Sequence, residues 1–212
     1  MIRLYSFKPS GNSQKVRIAL SLLGLEYEDI TLSGGAHRQA DFLALNPLGQ
    51  VPVLVDGDTT LRDSQAILVY LAAAYAPGRW DGETAAERGR IAQWLSLAAN
   101  EIAAGPNRLR LAALFGAAID RPTAEAAASR VLTLVEGRLR GRDWLEAGRL
   151  TIADLACAPY LALAHQGGVD LGPFPALRAW TARITAQPGF PRLEGWNISI
   201  DDLNPQPGAR SS

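Results

Sequence analysis

The stretch YSFKPSGNSQKVRIAL, residues 5–20, joins two kinds of periodicity across a short polar corner. Aromatic and branched side chains favour a strand over residues 2–7. From residue 13 to residue 23 apolar side chains recur every three or four positions, which predicts a helix that Gly24 ends. The polar corner at residues 10–13 therefore lies at a helix N-terminus, where the backbone dipole stabilises an anion.

The alternation of strand and helix continues beyond this corner. Residues 25–32 alternate in polarity and predict a second strand, and residues 41–45 predict a short helix. Two short strands flank Asp56-Gly57, a pair that strongly favours a hairpin. An apolar helix is predicted over residues 65–75. The order β-α-β-α-β-β-α is that of a thioredoxin-like α/β domain, which we place at residues 1–77.

Only helical patterns follow, so we predict an all-α helical C-terminal domain over residues 84–200. Capping boxes that begin at Thr84 and Thr151 should open two of its helices. The pair Gly105-Pro106 should interrupt a helix. Residues 198–212 read as a polar tail. The chain is thus predicted to be a small α/β domain followed by a helical one.

Composition and charge exclude several classes of protein. Lys and Arg number 21, as do Asp and Glu, so no net charge attracts nucleic acid or an anionic membrane. The longest apolar run, residues 66–76, is about half of the roughly 20 residues that a membrane-spanning helix needs. Cys157 is the only cysteine, and residues 1–7 lack the pattern of a signal peptide. We therefore expect a cytoplasmic protein, and the scarcity of lysine suggests a bacterial source.

The corner at residues 10–13 has serines where a thioredoxin-like redox protein carries cysteines, so any thiol used there must come from a second molecule. Pro52 stands where the thioredoxin architecture places a cis-proline opposite this corner. A cis Val51-Pro52 bond would leave the backbone of Val51 free to pair with an extended ligand. A trans proline that merely leads the strand is the alternative.

Two further pairs indicate the ends of such a ligand. Ser64 at a helix start suits a carboxylate, and Asp63 beside it could accept an ammonium group, although an ordinary helix cap also explains Ser64. His37 and Arg38 are either solvated loop residues or a cationic patch for a second carboxylate. A ligand with an amino-acid head, a thiol and a carboxylate tail is glutathione, which would supply the missing sulfur.

Four segments, taken in order, resemble the cytosolic glutathione S-transferases: SGNSQKVRIAL (10–20), HRQADFLALNPLGQVPVL (37–54), RDSQAIL (62–68) and LTIADLA (150–156). The combination of NPLGQVP with DSQAI at this separation is the most specific part. The resemblance is to the bacterial, serine-using members of the theta, phi and nu type. It implies that Ser10 is the catalytic hydroxyl and that Asn12 is a second donor to the sulfur.

The same resemblance implies the glutathione-binding residues. Val51, just before the cis-proline Pro52, would pair with the cysteinyl unit through its backbone. The γ-glutamyl group would contact Gln50, Ser64 and Asp63, the last standing where Glu is more usual, whereas the glycyl carboxylate would contact His37 and Arg38. Thr151 and Asp154 match a capping box with a folding role.

The second substrate is expected to enter a pocket lined from the helical domain, for which Trp94, Asn100, Arg108 and Phe115 are the candidates. No metal site is predicted, and a homodimer is expected by resemblance.

The leading hypothesis is a glutathione transferase that directs the thiolate at a small hydrophobic electrophile, a peroxide or a disulfide. One alternative is a glutathione-dependent disulfide-bond reductase or peroxidase without significant conjugating activity. Another is a non-catalytic ligand carrier or scaffold.

Overall fold

A mixed four-stranded sheet forms the first part of the chain in the computed structural model, which describes residues 1–193 and 195–196. The strand order is β2-β1-β3-β4, with β1 parallel to β2 and antiparallel to β3. A tight hairpin joins β3 to β4. The strands are β1 (Ile2–Ser6), β2 (Tyr27–Thr31), β3 (Val53–Asp56) and β4 (Thr59–Arg62).

Three helices complete this part: α1 (Gly11–Leu22), α2 (Ala40–Leu45) and α3 (Ser64–Tyr75). The predicted thioredoxin-like order is thereby confirmed. Helix α1 packs against α3 and also against a helix of the second part, so residues 13–20 of α1 are all buried. Burial on every side encloses polar side chains too. Arg17 pairs there with Asp29, at 2.6 Å between Nε and Oδ2.

The second part of the described chain is helical, as predicted. A π-type turn, Ala103–Asn107, contains Gly105 and Pro106 and separates the first two helices, which confirms the expected interruption. Helix α7 is buried along its whole length and contacts α1, α3 and α4, so it joins the two parts. The helices are α4 (Ala85–Ala99), α5 (Arg108–Phe115), α6 (Arg121–Leu139), α7 (Ile152–Ala162) and α8 (Pro175–Thr185).

The start of α7 confirms the predicted capping box. Thr151 Oγ1 accepts from the backbone N–H of Ala153, and Asp154 Oδ2 accepts from the backbone N–H of Thr151 at 2.9 Å. Asp154 Oδ1 also accepts from Trp180 Nε1 at 2.9 Å, which ties α7 to α8. A buried carboxylate with this many donors fixes where the helix begins.

The limits of the two domains, residues 1–77 and 84–200, remain predictions. The polar tail predicted at 198–212 lies outside the described residues, as does the end of the predicted helical domain. Within the described ranges the structure has no helix with the length and apolar character needed to cross a membrane.

Candidate active site

A cleft of about 740 Å³ opens between the N-terminus of α1 and the helical part of the chain. The α/β part lines it with polar groups and loop backbone, whereas the helices supply a wall from α5 and α7. A smaller pocket of about 130 Å³ adjoins it and shares Asn12, Gln50 and Val51 with it. The wall residues from the helical part are Asn107, Arg110, Leu111, Phe115 and Tyr160.

Ser10 is the N-cap of α1 and lines the cleft. Its Oγ accepts a hydrogen bond from the backbone N–H of Ser13 at 3.2 Å. A hydroxyl has one proton to donate and two lone pairs, so capping leaves the proton of Ser10 available to a ligand. From the sequence alone, Ser13 or Asn12 would be expected to cap α1 while Ser10 stays free for chemistry, but the structure gives the cap to Ser10. Ser13 is buried, and its Oγ accepts from the N–H of Phe7 instead.

Asn12 lies between the two pockets. Its Oδ1 is 3.3 Å from Ser64 Oγ, which links the start of α1 to the start of α3. Its Nδ2 has no hydrogen-bond partner within residues 1–193 and 195–196 and can therefore donate to a ligand in the cleft. Ser10 and Asn12 thus supply two donors at one helix N-terminus.

The Val51-Pro52 peptide bond is cis. The loop before it is held by the buried side chain of Asn46, whose Nδ2 donates to the carbonyl of Gln50 at 2.7 Å and whose Oδ1 accepts from the N–H of Leu48. The backbone N–H and C=O of Val51 have no hydrogen-bond partner in the described part of the chain. They can pair with an extended ligand in the cleft.

Asp63 and Ser64 lie in the smaller pocket, at the start of α3. Asp63, at φ 75°, is the cap of this helix, because its Oδ1 accepts from the N–H groups of Gln65 and Ala66 at 2.9 and 3.1 Å. The cap is therefore Asp63 and not Ser64. The second oxygen of Asp63 remains open to a cation, and Ser64 Oγ lies 2.6 Å from Gln65 Oε1.

His37 and Arg38 form a single 3-10 turn, Ala36–Arg38, at the edge of the cleft. His37 is half-buried and Arg38 is exposed. Every residue for which the sequence suggested contact with glutathione lines one of the two pockets. In the cleft these are His37, Arg38, Gln50 and Val51, and in the smaller pocket Gln50, Val51, Pro52, Asp63 and Ser64.

Only Phe115 of the four residues suggested for the second-substrate pocket lines the cleft, where its ring packs 6.2 Å from that of Phe7. Trp94 is instead a core residue whose Nε1 donates to Glu146 at 2.9 Å. Asn100 bonds back to Ser96, and the exposed Arg108 lies outside the cleft lining. The π-type turn changes the helical phase before α5, and with this phase Arg110 and Leu111 line the cleft whereas Arg108 does not.

Tyr160, which lines the cleft, and Lys15, which is buried behind it, were not singled out by the sequence. Tyr160 packs on Gly11, next to Asn12, and burial raises the pKa of its hydroxyl. Lys15 is fully buried, with Nζ 5.3 Å from the Tyr160 ring centroid and no hydrogen-bond partner among the described residues. Burial lowers the pKa of Lys15 to about 8. A positive charge therefore lies one helical turn behind the corner.

Comparison with known proteins assigns both parts of the chain to one family. The family model for the glutathione S-transferase N-terminal domain matches residues 4–80, and that for the C-terminal domain matches residues 98–188. Glutathione S-transferase 3 of Zea mays is 33% identical, over 98% of each chain. A glutathione S-transferase structure from Xanthobacter autotrophicus Py2 is 34% identical with a TM-score of 0.84, covering 92% of this chain and 98% of that one.

A structure of Ure2p in complex with glutathione is 28% identical to this chain, with a TM-score of 0.80. The alignment covers 89% of this chain and 90% of that one. The similarity therefore extends through both parts of the fold and over both walls of the cleft.

Proposed function

Because the chain belongs to the glutathione S-transferase family, we propose that it binds glutathione across the two pockets and activates its thiol at Ser10 and Asn12. The enzyme is a transferase, and the co-substrate receives the sulfur. The observation that carries this proposal is that Ser10 lines the cleft while its Oγ caps α1 as an acceptor, a role that leaves the hydroxyl able to donate its proton.

The orientation of glutathione follows from the chemistry of the pockets. The ammonium and carboxylate of the γ-glutamyl group suit the open oxygen of Asp63 and the hydroxyl of Ser64, with Gln50 alongside. The cysteinyl unit pairs with the free backbone of Val51. The glycyl carboxylate then extends along the cleft to His37 and Arg38.

The energy needed to activate the thiol is modest. A free thiol with a pKa of about 8.5 is only roughly 3% thiolate at pH 7, and lowering the pKa by about 2 units takes about 2.7 kcal/mol. A hydrogen bond to a charged acceptor contributes roughly 1.5–3 kcal/mol. A helix N-terminus adds about 0.3–1 kcal/mol. Ser10, Asn12 and the start of α1 together are sufficient.

Conjugation to an electrophilic carbon is the reaction we favour. Reduction of a peroxide or a disulfide by the same thiolate is the alternative, since the Ser10–Asn12 corner serves any acceptor of a thiolate. A non-catalytic carrier or scaffold is disfavoured because both donors and the Asp63-Ser64 pair are retained and face the pockets.

The test is the ultraviolet absorbance of the thiolate of bound glutathione, titrated against pH. We expect the wild-type protein to show thiolate well below pH 8.5, Ser10→Ala to lose most of this shift, and Ser10→Thr, which keeps the hydroxyl, to retain it. An unshifted thiol in the wild type would favour the carrier. A shift that survives Ser10→Ala would assign the activation to Asn12 and the helix N-terminus.

The wider setting is part of the same proposal. We place the protein in a bacterial cytoplasm, as a homodimer that removes electrophiles. The single buried cysteine fits a reducing compartment. Large apolar side chains exposed on the single chain, among them Leu48 and Val69, are consistent with a subunit interface. Light scattering on the purified protein checks the homodimer.

A further inference from the structure

Arg110 is a buried cation in the wall of the cleft. Only 3% of its surface is exposed, and its Nε donates to Gln166 Oε1 at 2.7 Å. No carboxylate within residues 1–193 and 195–196 forms an ion pair with it, and its two terminal nitrogens have no hydrogen-bond partner there. Since Arg110 lines the cleft, these terminal nitrogens are available to a molecule bound in it.

A buried guanidinium without an anion is unusual in a protein interior. Charged side chains are rarely buried unless they are paired, because their desolvation is costly. Burial lowers the pKa of Arg110, yet a guanidinium keeps its charge at any physiological pH. The lining of the cleft contains Arg38, His37 and Arg110 but no Asp or Glu. An anion that binds in the cleft would therefore offset the free-energy cost of burying the charge of Arg110.

The position of Arg110 separates it from the proposed site for the glycyl carboxylate of glutathione. His37 and Arg38 belong to the α/β part, whereas Arg110 lies on α5, close enough to Tyr160 for the two to interact electrostatically. The ring of Tyr160 in turn packs on Gly11, which lies between Ser10 and Asn12 at the proposed thiol-activating corner. Arg110 thus belongs to the helical wall that a second substrate would touch.

We propose that the second substrate carries a carboxylate or a similar planar anion, which Arg110 binds while the electrophilic centre meets the glutathione sulfur. The planar fork of a guanidinium matches a carboxylate through two parallel hydrogen bonds. Leu111 and Phe115 line the same wall and can cover the apolar body of such a molecule. This inference rests on the proposed function and specifies the class of its co-substrate.

Two chloroarenes that differ only by a carboxylate para to the chlorine test it: 2-chloro-1,3-dinitrobenzene and 4-chloro-3,5-dinitrobenzoate. In both, the glutathione thiolate forms a C–S bond and chloride leaves with the electrons of the C–Cl bond. Each kcat/KM is divided by the uncatalysed rate constant with glutathione. We expect the wild type to favour the benzoate, and Arg110→Met to reduce that preference by about 10- to 100-fold, as loss of a charged hydrogen bond predicts.

Arg108→Met is the matched control, because it removes a positive charge from the same helix outside the cleft. It should keep the wild-type preference, and Arg110→Lys should keep part of it. Equal losses for both arenes in Arg110→Met, or a raised KM for glutathione, would overturn the inference. A wild-type protein that shows no preference for the benzoate would also overturn the inference. This measurement remains valid even if Arg110→Met fails to fold. The thiolate titration tests the proposed function separately.

Discussion

At the scale of a single residue, Lys15 is a buried positive charge next to the candidate site, where it lowers the stability of the fold. The side chain is fully buried in α1 and its ammonium group has no hydrogen-bond partner in the described residues. Asp63 and the Tyr160 ring are close enough to interact with it electrostatically, which offsets only part of the cost of burial. If a thiolate binds at the nearby corner as proposed, the charge of Lys15 favours it, so Lys15 is expected to lower stability while assisting the proposed reaction.

Lys15→Met should therefore stabilise the protein at pH 7, by at most about 3 kcal/mol, the free energy equivalent of lowering the lysine pKa from 10.5 to about 8. The unfolded chain binds this proton up to about pH 10.5, whereas the folded chain releases it near pH 8. Raising the pH through this window thus favours the folded wild type, and its disadvantage relative to Lys15→Met shrinks.

Urea unfolding of wild type and Lys15→Met at pH 7 and at pH 9.5 measures both effects. The exposed Lys8 supplies the control, since Lys8→Met should leave stability almost unchanged at either pH. A gap between Lys15→Met and wild type that does not depend on pH would show that Lys15 is not an unpaired buried cation.

Single residues also show which parts of the candidate site could be predicted from the sequence and which could not. Ser10, Asn12 and Val51 stand in a local pattern, a helix start or a residue before proline, and the structure brings them to one cleft. Lys15 and Tyr160 carry no such pattern. The helical period of α1 predicts a single buried face. The sequence does not indicate that α1 is covered on both sides, or that α7 places Tyr160 beside the N-terminus of α1.

At the scale of elements, the π-type turn before α5 decides which side chains face the cleft. The sequence predicted an interruption at Gly105-Pro106, but it could not give the change of phase that the turn introduces. For that reason Asn107 and Arg110 form the wall, and Arg108 does not. The turn also brings the backbone very close to α6, since a Cβ on Gly105 would lie 2.5 Å from the backbone nitrogen of Ala128.

Gly105→Ala should consequently lower the free energy of unfolding by about 1–3 kcal/mol, because the added methyl group forces two helical backbones apart. Gly137 in α6 provides the matched control, since a Cβ there meets nothing within 4 Å. Gly137→Ala should raise stability by about 0.5–1 kcal/mol. Denaturant unfolding of both variants distinguishes the two effects, and a neutral Gly105→Ala would contradict the close approach of the helices.

For the molecule as a whole, the contact between Gly11 and Tyr160 joins the α/β part to the helical part beside the candidate active site. A Cβ on Gly11 would lie 2.5 Å from Cε1 of Tyr160, so α1 and α7 approach as closely as a glycine allows. The element order made both parts predictable from the sequence. Their mutual position was not, because it depends on contacts between residues far apart in the chain.

Gly11→Ala should lower stability and also reduce kcat/KM, because the displaced start of α1 carries Ser10 and Asn12. The clash is with the Tyr160 ring, so the stability loss should be smaller by 1 kcal/mol or more in a Tyr160→Ala background, a coupling of the size expected for contacting residues. A double-mutant cycle measured by urea unfolding gives this coupling. If the stability losses of the two single variants simply add in the double variant, the methyl group of Gly11→Ala does not clash with the Tyr160 ring.

The fit of Gly11 against Tyr160 also bears on how such proteins can diverge. Whole helical parts could be exchanged between relatives, in a laboratory chimera or by recombination. Such an exchange preserves the structure only if the new partner of Gly11 is a ring that fits as Tyr160 does. The side chains of α5 that line the cleft take no part in this contact. If α5 contacts the second substrate as proposed, point mutations there could alter what the enzyme acts on, whereas an exchange of one half would have to preserve the fit of Gly11 against Tyr160.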